Sequence, residues 1–230
     1  MLQRYPHFID WQHVRFSDEV HFGWGPEGRK LIIRPLGRIW KGHPQYIFQK
    51  ETRSRENSDD LKRVHYWGAV GYNFKSPLIR YEVPSNTNGK MTHQVYIESI
   101  LEPVVAEWCL EKEPWCLEED GDSGHGLKSQ NNPVERWKHA HGMSKDSSTI
   151  HTYYANCRAS PDFAIIEDTW QYPKQYVRKR PHSDDDIVDE LVREAWDQIP
   201  QDWINRLVDS IPQRLQDCIQ SKGQLVEIRC

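Results

Sequence analysis

The sequence predicts an α/β domain whose mixed β-sheet is flanked by helices, and three observations lead to this prediction. Predicted strands and helices alternate along the chain, which is typical of domains in which helices pack on a sheet. The 230 residues include ten Trp, ten Tyr and six Phe, enough bulky side chains for a substantial core. The C-terminal part carries helical patterns alone. We therefore predict one domain over residues 1–182 and a helical extension over residues 183–230.

The first strand is predicted between Trp11 and Phe22. Apolar or aromatic residues stand at Trp11, Val14 and Phe16, and the sequence then becomes acidic at Asp18. This pattern favours a strand that carries Asp18 at or near its C-terminal end.

A hairpin and a long helix are predicted next. The segments 64–72 and 78–83 are rich in aromatic and β-branched residues and are separated by a turn-prone link. Apolar residues from Ile97 to Trp108 then recur at the three-four spacing of one helical face. Pro103 lies inside this helix, where we expect a kink.

A short buried strand is predicted at Trp115 to Leu117, with the acids Glu118, Glu119 and Asp120 at its exit. Asn132 and Pro133 are typical of a helix start. Another strand is predicted over residues 150–157, and a helix opened by residues 160–162 should carry Ile166, Glu167 and Trp170.

The C-terminal extension is predicted to contain two helices. Ser183 and the aspartates at 184–186 are typical of a capped helix start, and Pro200 should end that helix. The second helix is predicted from Ile204 to Ile219, with a kink at Pro212.

Composition limits the partners and the compartment. No apolar run approaches the length that crosses a bilayer, the N-terminus lacks a secretory core, and the five cysteines are odd in number, so we expect a protein of a reducing, intracellular compartment. The net charge of −4 means that a polyanionic partner must be met by local patches or through metal ions. Candidate phosphate contacts are Lys50, Arg53, Arg55, Lys62, Arg63, Lys174, Arg178, Lys179 and Arg180, for which a solvated surface is the simpler alternative.

Acidic residues at the ends of two strands and on a later helix suggest a metal site. Magnesium is a hard cation that prefers oxygen ligands, and clustered carboxylates are stabilised in their ionised form when they bind cations. Two ions about 3.5–4 Å apart can activate an attacking oxygen and stabilise a leaving oxygen at a phosphodiester.

Three blocks of the sequence resemble the catalytic domain of mariner-type transposases, in particular the members common in fungi. The blocks are VRFSDEVHF (14–22), EEDGDSGHG (118–126) and ASPDFAIIEDTW (159–170). The family's second block places a His five positions after its Asp, as His125 follows Asp120. Its third block places a Trp three positions after the acid, as Trp170 follows Glu167.

This resemblance implies a ribonuclease H-like fold and a function. Asp18, Asp120 and Glu167 would be the ligands of two divalent ions, Mg²⁺ or Mn²⁺, and His125 and Trp170 would be accessory residues. The reaction would be cutting and joining of double-stranded DNA at transposon ends and target. A nuclear location in a eukaryote and a homodimer would accompany that activity, with no membrane partner.

The chain departs from the family pattern at several points. Gly121 replaces the usual Asn, Ala164 and Ile165 replace a polar residue and Pro, and the interval from Asp120 to Glu167 is 167 − 120 = 47 positions, longer than the family norm. About ten residues precede the first strand, where the family carries helix-turn-helix domains.

Two other functions therefore stay open. The first is a truncated or domesticated remnant that binds DNA without cutting it, and the second is another ribonuclease H-like nuclease acting on RNA or hybrids. Each residue also has a purely structural interpretation. Asp18, Glu118, Glu119 and Asp122 would be solvated carboxylates, Asp162 a helix cap, Asp168 a residue facing away from Glu167, His125 a turn residue and Trp170 a core residue.

Overall fold

A mixed sheet lies at the centre of the computed structural model, which describes residues 8–24, 62–84, 90–126, 132–146, 148–156, 163–180, 182 and 184–222. The seven strands within these ranges are β1 (Val14–Trp24), β2 (Lys62–Gly71), β3 (Phe74–Lys75), β4 (Ile79–Tyr81), β5 (Cys116–Glu119), β6 (Met143–Ser144) and β7 (His151–Ala155). Their order is β3-β2-β1-β5-β7-β6, and β4 also pairs with β2. The predicted α/β class with a mixed sheet flanked by helices is confirmed.

The pairing of β1 differs on its two sides. On one side β1 pairs with β2 in an antiparallel ladder from Phe16↔Val70 to Trp24↔Lys62. On the other side it pairs with β5 in parallel, from Val14↔Cys116 to Phe16↔Glu118. The prediction that Asp18 lies near the end of β1 is wrong, because the β2 ladder extends the strand to Trp24. Asp18 lies instead where the parallel pairing with β5 stops.

The helices are α1 (Phe8–Trp11), α2 (His93–Tyr96), α3 (Ala106–Trp108), α4 (Pro133–Ala140), α5 (Ile165–Thr169), α6 (Gln171–Arg178), α7 (Asp185–Asp197), α8 (Gln201–Asp209) and α9 (Ile211–Gln220). A π-helical segment, Ile97–Val105, joins α2 to α3. The predicted helix over this region is confirmed, and Pro103 lies within its wide π-helical turns. In the part of the chain that the structure describes, no helix is long and apolar enough to span a membrane.

A separate hydrophobic core lies on each face of the sheet. We call the side that carries Val14, Phe16 and Val20 of β1 the front face, and the opposite side the back face. The front face packs against α5, α7 and α8 through buried residues such as Ile166, Val192 and Leu207. The back face packs against the segment from α2 to α3 and against α4; its core includes Trp67, Tyr96, Leu101, Val105, Trp108, Leu117 and Val134.

The helix starts follow the predicted capping chemistry where the structure describes them. The side chain of Asn132 accepts a hydrogen bond from the backbone N–H of Glu135, and Pro133 occupies the first turn of α4. Asp184 caps α7 in the same way through Ile187, whereas Ser183 lies outside the described residues. Both helices therefore begin with a side-chain oxygen that accepts a hydrogen bond from a backbone N–H of the first turn.

The C-terminal helices complete the front-face core. Val188, Val192 and Trp196 of α7 are buried against the same cluster as Phe16 and Tyr66. The predicted single helix from Ile204 to Ile219 is wrong, because α8 ends at Asp209 and α9 begins at Ile211, with Pro212 in the first turn of α9. A proline is well tolerated there, since the first N–H groups of a helix have no intrahelical partner. The proposed division at residue 182 stays a prediction.

Candidate active site

Two of the predicted acids follow the end of one parallel ladder. Phe16 of β1 is paired with Glu118 of β5, and Asp18 and Asp120 each lie two residues beyond this last pair. Side chains two residues apart point to the same face of a strand, so Asp18 follows Phe16 and Val20 onto the front face. Asp120 comes directly after the last residue of β5. The pair therefore lies at the edge where the parallel pairing ends.

The third predicted acid reaches the same place from a helix. Glu167 lies in the first turn of α5, which packs on β1 and β2 at the front face. The pKa of Asp18 is raised well above its usual value, first by burial and then by the negative charges of Glu19, Glu167 and Asp120. These carboxylates are thus close enough to interact electrostatically with Asp18.

The carboxylate of Asp120 is oriented by its own loop. Its Oδ1 lies 2.8 Å from Nδ1 of His125 and accepts a 2.8 Å hydrogen bond from the backbone N–H of Asp122. The other ring nitrogen of His125, Nε2, lies 2.9 Å from Oε1 of Glu19. The buried ring of His125 therefore lies between Glu19, on the back face of β1, and Asp120, which follows β5.

The surroundings of His125 favour the protonated form of its ring. Burial alone would lower its pKa, but Glu19 and the hydrogen bonds to Asp120 and Glu19 more than offset that effect, and the pKa lies well above its usual value. The structure therefore agrees with an orienting role for His125 beside Asp120. Ligand atoms of Glu19, Asp120 and His125 also lie within 4.8 Å of one another, a spacing that could hold a metal ion.

The loop after Asp120 is held by side-chain hydrogen bonds and by a tight turn at Gly126. The side chain of Asp122 accepts a 2.7 Å hydrogen bond from the N–H of Gly124 and caps a short 3-10 helix, Ser123–His125. Gly126 ends this turn with a φ of +72°, and a Cβ there would lie 2.2 Å from Oδ1 of Asn132. Asn132 in turn donates a 2.6 Å hydrogen bond to the carbonyl of Gly126, which joins the loop to α4.

The interpretation of Glu118 and Glu119 as solvated carboxylates is wrong. Both are buried within β5, on opposite faces of the sheet. Glu118 accepts a short hydrogen bond from the hydroxyl of Tyr154, and burial raises its pKa to about 8. Glu119 accepts hydrogen bonds of 2.6 and 2.5 Å from Nζ of Lys138 and one of 2.5 Å from the hydroxyl of Tyr96.

Lys138 was not among the predicted site residues. It lies on α4, four positions after the buried Val134, so a lysine stands within the apolar face of that helix. Both Lys138 and Glu119 are 0% exposed, and burial lowers the pKa of Lys138 against the opposing effect of Glu119. A charged residue inside an apolar helical stripe, with a glutamate inside a short apolar strand, was the signal that could have found this pair.

Asp168 and Trp170 have structural partners on the front face. Asp168 accepts a 2.9 Å hydrogen bond from Nη1 of the buried Arg214, which ties α9 to the helix that carries Glu167. Trp170 is 0% exposed, and its ring centroid lies 4.9 Å from that of Trp196. Trp170 therefore belongs to the core.

The predicted basic residues are spread over the molecule. Lys62 begins β2 and Arg63 follows it with an exposed side chain, both near the end of the β1–β2 ladder. Arg178 and Lys179 are exposed at the end of α6, Lys174 is partly buried on that helix, and the guanidinium of Arg180 lies 3.3 Å from the centroid of the Tyr176 ring. Lys50, Arg53 and Arg55, together with Asp162, lie outside the described residues.

Comparison with known sequences identifies relatives over most of the chain. The chain is 27% identical over 220 residues to the Tcb2 transposase of Caenorhabditis briggsae and 24% identical over 217 residues to the Tc1 transposase of Caenorhabditis elegans. Each alignment covers 93% of this chain and 70% of the relative. No protein-family model matches the chain.

Comparison with solved structures identifies the same fold. The catalytic domain of the Mos1 mariner transposase superposes with a TM-score of 0.64 at 11% identity, over 98% of this chain and 90% of that domain. The Mos1 transposase in its paired-end complex with the left transposon end superposes with a TM-score of 0.65, and the match spans 60% of that longer protein. Mos1 paired-end complexes have been solved with Mn and with Mg. The predicted ribonuclease H-like architecture is thereby confirmed.

Proposed function

We propose that this chain, a homologue of the Tc1/mariner transposases, is the catalytic part of a DNA endonuclease and strand transferase. The observation that carries the proposal is the register of β1 and β5. Asp18 and Asp120 each follow the last pair of that ladder by two residues, and both Asp120 and Glu167 act electrostatically on Asp18. A phosphodiester-cutting site of this kind needs several carboxylates close together. Two adjacent strands and a helix would supply three of them.

The donor set fits divalent ions. Burial raises the pKa of Asp18, and the negative charges of Glu19, Glu167 and Asp120 raise it further, a repulsion that a bound cation would relieve. Asp18, Asp120 and Glu167 offer oxygen ligands of the kind that Mg²⁺ and Mn²⁺ prefer. Two such ions, when bound, would supply charge stabilisation to the attacking and leaving oxygens.

The chain's own residues hold the ligands in place. β1 fixes Asp18 within the sheet, His125 and the N–H of Asp122 orient Asp120, and the bond from Arg214 to Asp168 holds the turn of α5 that carries Glu167. Ordered ligands of this kind reduce the reorganisation that catalysis would otherwise require.

The proposed chemistry consists of two in-line displacements at phosphorus. In the first, a water oxygen bonds to phosphorus, the bond to the 3′ oxygen breaks, the water loses a proton to solvent and the leaving oxygen gains one. In the second, the freed 3′-hydroxyl attacks a phosphodiester of target DNA with the same exchange of bonds. The partner is double-stranded DNA, the proposed assembly is a homodimer, and the proposed location is the nucleus.

A metal-dependent nicking assay on supercoiled plasmid DNA tests the proposal. We expect cleavage with Mg²⁺ or Mn²⁺ and a loss of at least about a thousandfold in Asp120→Asn and Glu167→Gln, since several kcal/mol of charge stabilisation disappear. Glu190→Gln is the matched control, because Glu190 is an exposed glutamate on α7. Equal cleavage by Glu167→Gln and Glu190→Gln would exclude the proposed site.

The same assay separates the two alternative functions. A wild-type protein that binds the plasmid without nicking it would support the DNA-binding remnant. Stronger competition by an RNA–DNA hybrid than by a DNA duplex of the same length would support another ribonuclease H-like nuclease.

A further inference from the structure

Lys138 is a buried cation that holds the side chain of Glu119. It lies on α4, and its side chain is 0% exposed. Nζ lies 2.6 and 2.5 Å from the two carboxylate oxygens of Glu119. The rings of Tyr153 and Tyr96 lie beside the ammonium, with their centroids 4.4 and 5.8 Å from Nζ. The charged end of Lys138 is therefore enclosed by one carboxylate and two aromatic rings.

Glu119 is also fixed through its main chain, at the point where β5 ends. It is the last residue of that strand and pairs with Ala155 of β7. Its carbonyl oxygen accepts a 2.8 Å hydrogen bond from the N–H of Asn156. Asp120 follows directly, beyond the last pairs of both parallel ladders of β5. The ion pair with Lys138 therefore anchors the last strand residue before a proposed metal ligand.

Tyr96 joins the same ion pair to the histidine that contacts Asp120. Its hydroxyl donates a 2.5 Å hydrogen bond to Oε1 of Glu119, and its ring centroid lies 4.7 Å from that of His125. Nδ1 of His125 lies 2.8 Å from Oδ1 of Asp120. A chain of direct contacts thus runs from Lys138 to the carboxylate of Asp120. Every side chain in it except that of Asp120 is buried.

Stability alone is a weak reason for placing these two charges in the core. Removing an ammonium and a carboxylate from water is costly, and apolar side chains of similar volume often stabilise a fold at least as well. Charge-assisted hydrogen bonds are strong and constrain the geometry of both partners. What the Lys138–Glu119 pair supplies beyond packing is therefore a fixed orientation at the end of β5.

We propose that Lys138 is a positioning residue, which acts through Glu119 to hold Asp120 in the direction that a divalent ion requires. Because its side chain is enclosed on the back face, Lys138 acts without touching the ion. The inference rests on the proposed function, because it takes Asp120 to be a metal ligand. It gives a role to α4, which lies in the interval between Asp120 and Glu167.

The Mn²⁺ affinity of variants that keep the fold tests the inference. Two double variants remove the ion pair: Glu119→Gln with Lys138→Met keeps an oxygen acceptor for Tyr96, and Glu119→Leu with Lys138→Met makes the position apolar. Circular dichroism and urea unfolding identify the double variants that keep the wild-type fold. The dissociation constant for Mn²⁺ is then measured by electron paramagnetic resonance. We expect it to rise at least about tenfold, since groups that orient a metal ligand typically contribute about 10–100-fold in metal affinity.

A second ion pair of α4 supplies the matched control. Nζ of Lys145 lies 2.6 Å from Oε1 of Glu135, which is in the first turn of that helix. Glu135→Gln with Lys145→Met also removes one charge of each sign but leaves the Lys138–Glu119 pair in place, so we expect wild-type Mn²⁺ affinity. Asp120→Asn removes the proposed ligand itself and sets the largest loss that the assay can show.

Wild-type Mn²⁺ affinity in a folded double variant would overturn the positioning role, because the ion pair would then contribute to stability alone. An equal loss of affinity in the control at Glu135 and Lys145 would overturn it as well, since any change of charge on α4 would then suffice. These results are distinct from a failure of the proposed function. A wild-type protein that binds Mn²⁺ through Asp120 but does not nick plasmid DNA would lose the endonuclease assignment, and weak Mn²⁺ binding by the double variants would still support the positioning role.

Discussion

The two faces of the sheet treat neighbouring carboxylates in opposite ways. On the back face, Glu119 contacts the ammonium of Lys138, and Glu19 contacts the protonated ring of His125. On the front face, burial raises the pKa of Asp18, and the negative charges of Glu19, Glu167 and Asp120 raise it further. Glu119 and Glu19 thus each contact a cationic partner within the protein, and Asp120 shares His125 with Glu19. The charges that shift the pKa of Asp18 are negative, and we propose that a bound cation offsets them.

The largest expected effect comes from removing the cation that contacts Glu119 on the back face. Lys138→Met leaves the buried Glu119 without its cation, and we expect a loss of about 3–5 kcal/mol in the free energy of unfolding measured with urea. Lys145→Met is the matched control, because Lys145 is 45% exposed and its pair with Glu135 should contribute less than about 1 kcal/mol.

A double variant separates charge from packing at this site. Glu119→Gln combined with Lys138→Met removes both charges and keeps an oxygen acceptor for Tyr96, so most of the lost stability should return. A double variant as unstable as Lys138→Met alone would show that packing of the lysine stem, and not the unpaired charge, caused the loss.

The second prediction concerns Glu118 and pH. Its pKa in the fold is about 8, above the ordinary 4.5, so the fold favours the protonated acid. The stability that this proton contributes is fully present below about pH 4.5 and is lost as the pH rises through about 8. In the presence of EDTA, we expect wild-type unfolding free energy to fall by at most a few kcal/mol across this range.

Substitution isolates the contribution of Glu118. Glu118→Gln keeps the shape without the titration, so its stability should vary less between pH 5 and about pH 8. Glu98→Gln, at an exposed helical position, should leave the wild-type profile unchanged. Parallel profiles for wild type and Glu118→Gln would contradict the assignment of the proton to Glu118.

The smallest effect is expected from removing the charge of Asp18 in metal-free protein. Asp18→Asn removes one of several repelling charges from a position where burial also disfavours charge, so the free energy of unfolding should rise. Asp202→Asn removes an exposed acid from the first turn of α8 and should instead lower stability by a few tenths of a kcal/mol. A loss of stability in Asp18→Asn under EDTA would indicate that Asp18 is already neutralised within the protein.

Local sequence patterns predicted the elements but not their pairing. Alternation in β1, aromatic content in β2 and the cap at Asn132 depend on neighbouring residues and were confirmed. The extent of β1 beyond Asp18 depends on the distant β2, and the break between α8 and α9 depends on how each helix packs against the front-face core. Such boundaries are set by tertiary contacts that no short window contains.

The site was predictable where its residues follow motif spacing. Asp18, Asp120, Glu167 and His125 were selected by their spacing within three blocks; Asp120 and Glu167 both act electrostatically on Asp18, and the shared metal site stays a prediction. The Glu119–Lys138 pair was missed because its members are 19 positions apart and each is of a residue type that is usually exposed. Their apolar neighbours in the sequence indicated burial, but only the fold shows that the two side chains meet.

Binding of Mn²⁺ to metal-free protein, followed by electron paramagnetic resonance, tests the central claim most directly. Asp18, Asp120 and Glu167 are proposed to share one metal site, so Asp18→Asn and Glu167→Gln should each lose bound Mn²⁺, while Glu190→Gln should bind it as the wild type does. Wild-type Mn²⁺ binding in Glu167→Gln would contradict the account, because the helix residue would then contribute nothing to the site on the sheet.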